Sequence, residues 1–169
     1  MNDAGTIAQR ILPAAWNALT EKIIGAAIEV HAVLGPGLLE KLYEDAMCIE
    51  LHRLGLPFAR QRSIQMIYKG EPIGDLRIDL VVQDLVIVEL KSTDGICDAH
   101  RAQLLSYLRS ADLPLGLLIN FKHARLVDGV SRRINPHASL MQKLPTIMPS
   151  SPLSSAHSAS SEFPPKALS

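Results

Sequence analysis

The chain has 169 residues, with 17 Lys/Arg balanced by 17 Asp/Glu, and 47% of it is hydrophobic. That length fits one domain with a self-sufficient core, and a net charge of zero argues against a broadly cationic nucleic-acid-binding surface. Cys48 and Cys97 form no C-x-x-C or Cys/His cluster, which argues against a structural zinc or a disulfide framework.

No signal-peptide pattern and no apolar run of the ~20 residues a membrane span needs is present, so a soluble cytoplasmic protein is expected. Charge is unevenly spread. Residues 1–98 hold 9 Lys/Arg and 14 Asp/Glu, whereas residues 99–169 hold 8 and 3. The asymmetry is compatible with a carboxylate-lined metal site beside a phosphate-binding surface, and equally with chance.

Residues 1–16 are weakly patterned and read as a loosely ordered arm. Leu19, Ile23, Ala26, Ala27 and Val30 then recur at three and four, predicting a helix from about Asn17 to Val33, with Trp16 packing beside it. "GPG" at 35–37 stops it. A second helix follows, with Leu39, Leu42, Ala46 and Ile49 on its expected apolar face, ended by Gly55 and Pro57.

From there the period drops to two. Ile64, Met66 and Tyr68 form one strand, "KGEP" a turn, and Leu76, Ile78, Leu80 and Val82 a second strand. "LVIVELKS" is the third. "DAHRAQLLSYLRSA" returns to helical spacing with Asp98 as the expected N-cap. "LPLGLLINF" reads as a buried strand and "ARLVDGVSRRI" as an edge strand. The order is αα-βββ-α-ββ, an α/β fold with a mixed sheet flanked by helices over residues 17–144. From Pro145, Ser and Pro make up 13 of 25 residues, too polar to offset ordering entropy, so 145–169 is expected to be a disordered tail.

The chemistry concentrates in the third strand. Glu89 and Lys91 share one strand face, about 7 Å apart along the chain, where apolar residues belong. Burying a carboxylate and an ammonium is costly unless they pair or bind a metal, and an internal ion pair is the simplest explanation. Asp79, ten residues earlier, adds a second carboxylate. It falls opposite Glu89 only if Val82 faces Val86 across a three-residue loop, Gln83 to Leu85; a two-residue loop would put it opposite Val88, on the wrong face. If the carboxylates meet about 5 Å apart, they call for a hard cation, Mg²⁺ or Mn²⁺, with Lys91 beside a phosphate or an attacking water.

"IDLVVQDLVIVELK" (78–91) resembles the P-D…(D/E)-x-K signature of the PD-(D/E)XK nuclease superfamily, with Ile78 in the proline's place. "GLLEKLY" (37–43) matches the string that names the GxxExxY protein family, and "QLLSY" (103–107) resembles the Q-x-x-x-Y motif of exonuclease-like members. The resemblance spans residues 20 to about 134. It implies a restriction-endonuclease-like core and a Mg²⁺-dependent nuclease acting on DNA ahead of RNA. Asp79, Glu89 and Glu40 would bind metal, and Lys91 would be the catalytic lysine. Gln103, Tyr107, Tyr43 and His100 would face substrate, and the resemblance leaves a homodimer open. Glu40 and Tyr43, i and i+3 on one helix, are expected on a common face, as are Gln103 and Tyr107. His100 reads either as a phosphate contact or as an exposed helix-start histidine. Glu29 and His31 read as solvated or capping, and Arg125, Arg132 and Arg133 as a basic edge. The alternative is a non-catalytic module that keeps the fold and binds nucleic acid or protein.

Overall fold

The computed structural model describes residues 12–144. Helix α1 runs Ala14–Leu34 and α2 Glu40–Arg53. Strands β1 (Phe58–Tyr68), β2 (Glu71–Val82) and β3 (Val86–Lys91) follow, then α3 (Asp98–Ser110), β4 (Leu115–Asn120), a 3-10 turn (Leu126–Gly129), β5 (Val130–Ile134) and a one-turn α4 (Ser139–Gln142). Spatial order in the single sheet equals chain order. Neighbours are antiparallel except β3 and β4, which run parallel across the α3 crossover. None of the described helices is long and apolar enough to cross a membrane.

Two apolar layers sandwich the sheet. Leu80, Val82, Val86, Val88, Leu115 and Leu117 pack under α1 and α2. Ile78, Val81, Ile87 and Leu118 pack under Leu104 and Leu108 of α3. The central strands β3 and β4 are covered on both faces, which is why they read as continuous apolar runs.

Several boundaries differ from the expectation. Helix α1 begins at Ala14, three residues early, because Pro13 is its N-cap and the Pro13 carbonyl receives the Trp16 N–H at 2.9 Å; Trp16 packs on the core as expected. Residues 1–11 of the expected arm and the expected tail 145–169 lie outside the described residues. Helix α2 turns a different face inward. Tyr43, Glu44, Met47 and Leu51 are buried, while Leu39, Leu42 and Ile49 are exposed. Both stripes have helical spacing, and the choice falls to Tyr43. Its ring stacks on Phe121 at 4.2 Å; its hydroxyl donates to Gly35 O at 2.7 Å and accepts from Leu38 N–H at 3.1 Å. Gly35 takes φ 69° there, so the glycine turn and the tyrosine fix each other.

Cys97, not Asp98, caps α3. His100 closes a capping box by accepting the Cys97 N–H at 3.4 Å on Nδ1, while Asp98 sits one position inside the helix and pairs with Arg101 at 2.8 Å. The expected strand 124–134 is half 3-10 turn, since a Cβ at Gly129 would lie 2.4 Å from Asn120 O and the chain must bend round that contact. His31 is half-buried, with Nε2 2.8 Å from the His123 carbonyl, and is neither solvated nor a cap.

Candidate active site

The β2–β3 hairpin has the three-residue loop that the site requires. Val82 stands opposite Val86, Val81 opposite Ile87 and Leu80 opposite Val88, with Gln83 and Asp84 turning the chain at φ 54° and 48°. One further rung along that register lie Asp79 and Glu89. There the strands part. The Leu90 N–H donates to Asp79 Oδ2 at 2.9 Å, so the carboxylate takes up a backbone donor at the point where the ladder ends.

A kink on the other side of β2 re-aims Asp79. Arg60 pairs with Leu80 and Arg62 with Ile78, but the rung between them, Gln61 with Asp79, is missing, and Gln61 adopts φ 50°. A non-glycine residue in the left-handed region inside a strand is strained backbone, of the kind that collects at functional sites. The inward–outward alternation breaks at the same place: Ile78 packs toward α3, Leu80 toward α1 and α2. The Gln61 side chain then ties two acids together, its amide donating to Glu44 Oε2 at 2.6 Å and more weakly to Asp79 Oδ1 at 3.4 Å. Arg60 holds the other Glu44 oxygen.

Glu89 is 3% exposed and its Oε1 is buried with no hydrogen-bond partner; Oε2 lies 3.7 Å from Lys91 Nζ. Burial first, and then the Asp79 charge, push the Glu89 carboxyl up to about 8, against a smaller downward pull from Lys91. Burial likewise raises Asp79, assisted by the Glu44 and Glu40 charges and opposed by the Leu90 N–H and Lys91. Two acids that disfavour each other's ionisation, one with an orphaned oxygen, suit a cation that would satisfy both.

Glu40 opens α2 and reaches the end of β3, where its Oε1 accepts the Ser92 N–H at 3.0 Å. Ser92 Oγ donates to Leu38 O at 2.7 Å, and Asn120 brackets Thr93 from β4. The chain just past Lys91 is therefore pinned from both sides. Glu40, Glu44 and Asp79 share an open cleft of about 390 Å³ with Lys41, Arg60 and Arg77. Glu89 and Lys91 do not line it: they alternate along β3 with Leu90, which does, and share the strand face of Ile87; the Lys91 side chain is 15% exposed.

On α3, Gln103 Nε2 donates to Tyr107 Oη at 2.8 Å, with Gln103 exposed and Tyr107 buried beside Ile87 and Leu118. His100 is engaged in the cap described above. Tyr43 corrects the expectation. It is fully buried, so it cannot touch substrate, and the acid that shares the cleft with Glu40 is Glu44, one turn further on.

A family model of the PD-(D/E)XK nuclease superfamily matches residues 17–133. The chain belongs to that superfamily. No curated protein and no solved structure matches it. Its mixed five-stranded sheet with flanking helices is the superfamily's restriction-endonuclease-like α/β core.

The donor set fits a hard divalent ion: carboxylate oxygens only, one of them unpartnered, with no thiolate or imidazole among them. Among the described residues no three His, Cys, Asp or Glu side chains are already grouped tightly enough to hold a metal, so Glu40 is not gathered with Asp79 and Glu89 into one ligand set. Two protein carboxylates suffice for Mg²⁺, which keeps several waters. The sequence reading missed Glu44, Arg60 and Gln61. Only Glu44 left a signal, as the acid four residues after Glu40.

Proposed function

We propose that the protein is a cytoplasmic, metal-dependent nuclease of the GxxExxY group that hydrolyses phosphodiester bonds, in DNA ahead of RNA. The observation that carries this reading is buried Glu89, with its unpartnered Oε1, set beside Lys91 and close enough to Asp79 to feel its charge.

Asp79 and Glu89 would hold Mg²⁺, or Mn²⁺ in its place, with Glu40, which stands apart from them, acting through a water of the ion. The ion lowers the pKa of a bound water and stabilises charge on phosphoryl oxygens. Lys91 would donate to a non-bridging phosphate oxygen or orient the water. Water adds to phosphorus, the bond from phosphorus to the leaving sugar oxygen breaks, that oxygen takes a proton from solvent to leave as a hydroxyl, and the attacking water's proton passes to solvent. Gln103 and Tyr107, already joined to each other, orient the backbone from α3, and His100 stands one turn before Gln103–Tyr107 as a further contact. Exposed Leu39, Leu42 and Ile49 on α2, with Val33 on α1, offer the face for a homodimer.

A second reading, a non-catalytic module binding nucleic acid or protein, draws on the lack of a preassembled three-acid cluster. Calorimetric titration with Mg²⁺ and Mn²⁺ on wild type and Asp79→Ala, with labelled single- and double-stranded DNA and RNA assayed in parallel, separates the two. Metal binding lost in the variant, with metal-dependent cleavage of any substrate, supports the nuclease. A folded wild type that binds no metal and cuts nothing rejects it.

A further inference from the structure

The cleft in front of Asp79 is lined by three acids and three cations, and the cations are not equivalent. Arg60 is spent on Glu44 and Asp45, and Lys41 on Asp45. Outside the cleft lining, Lys91 faces Glu89. Arg77 is exposed, lines the cleft, and has no side-chain hydrogen bond or ion pair among the described residues. It stands two residues before Asp79 on β2 with its guanidinium unpartnered among those residues.

We propose that Arg77 is a substrate-binding residue that clamps a phosphate of the nucleic-acid backbone flanking the bond to be cut. This deepens the nuclease reading and rests on it. A polyanion entering a cleft walled by Glu40, Glu44 and Asp79 meets repulsion from every acid that is ionised, and among the described residues lining that wall Arg77 is the positive group without an acid partner. A guanidinium presents a planar fork that matches two phosphate oxygens at once. Arg77 and Asp79 lie on the same strand and line the same cleft, so Arg77 is placed for a phosphate flanking the one that Asp79 serves. Such a contact positions the strand without reading its bases. The structural alternative, that Arg77 merely solubilises the hairpin, makes no such demand on substrate.

The test measures fluorescence anisotropy of labelled single- and double-stranded DNA and RNA oligonucleotides, with EDTA present so that nothing is cut, across a salt series. Wild type, Arg77→Ala and Arg77→Lys are compared, and Mg²⁺ affinity of each is measured by calorimetry. The Arg77 side chain is exposed and makes no hydrogen bond or ion pair among the described residues, so both variants should melt with wild type. The expected result is a 10- to 100-fold loss of affinity in Arg77→Ala and a shallower dependence of log K on log salt by about one phosphate. Arg77→Lys should keep the salt slope while losing part of the affinity, and Mg²⁺ affinity should be the same in all three. Equal affinity and slope in wild type and Arg77→Ala would overturn the clamp and leave the nuclease reading standing. A wild type that binds no oligonucleotide and cuts none with Mg²⁺ added would remove the nuclease reading itself, and the clamp with it.

Discussion

Replacing Glu89 with Gln should stabilise the metal-free protein, and more so as pH rises. The group ionises near 4.5 in the unfolded chain and near 8 in the folded one. Between those values the unfolded state has released a proton that the folded state retains, so wild-type stability falls as pH rises through that window and levels off on either side. At ~1.4 kcal/mol per unit, the deficit is about 3 kcal/mol at pH 7 and about 5 kcal/mol once pH passes 8. Gln mimics the protonated acid that the fold holds at neutral pH, and it has no such slope. The two proteins should match near pH 4.5 and diverge to about 3 kcal/mol at pH 7, on the order of 10 °C in Tm. Urea unfolding in EDTA, followed through Trp16, the single tryptophan, measures both curves. Added Mg²⁺ should narrow the gap above pH 7 by stabilising wild type alone. Parallel curves from pH 5 to 8.5, or a variant less stable at pH 7, would refute the reasoning and show Glu89 ionised in a structural pair with Lys91.

Tyr43→Phe should cost about 1–2 kcal/mol, because Gly35 O and Leu38 N–H lose their shared partner, while metal and oligonucleotide affinity stay at wild-type values; a changed affinity would return Tyr43 to the substrate site. Gln61→Gly should be more stable than Gln61→Ala by about 1 kcal/mol, since glycine takes φ 50° without strain. Both should weaken Mg²⁺ binding by about ten-fold, as loss of an orienting partner commonly does; calorimetry and thermal melts read the two effects separately. Gly129→Ala should destabilise by about 3 kcal/mol or more, a Cβ having no room beside Asn120 O, and equal melting temperatures would show that the turn can shift.

The hairpin register was legible because side chains alternate along a strand: counting residues through the turn gives the Gln83–Leu85 loop and the pairing as far as Leu80 with Val88, whereas the kink that aims Asp79 beyond that rung was not. The inward face of α2 was not. The stripe of Leu39, Leu42, Ala46 and Ile49 and that of Tyr43, Met47 and Leu51 both repeat at helical spacing, and the contest is settled by Phe121 and the Gly35 turn, which lie elsewhere in the chain. Gln61 was invisible for another reason. A left-handed glutamine within a strand carries no local signature, its side chain being held by Glu44 and Asp79 from other elements. Cys97 took the cap from Asp98 because the helix starts one residue earlier than side-chain preference suggests.

The link between Glu40 and the Ser92 N–H joins residues 52 apart in sequence. Its neighbour, the parallel pairing of Glu89 with Leu118 and Lys91 with Asn120, cannot form until α3 has crossed over. Contacts of such long range close slowly, since the loop entropy must be met before they contribute. Asp79, Glu89 and Lys91 sit on one short-range hairpin, whereas Glu40 and the β4 partners reach them only through these distant contacts. The proposed cutting centre therefore has two parts of different range, a hairpin that the local chain can close and a surround that only the whole fold supplies.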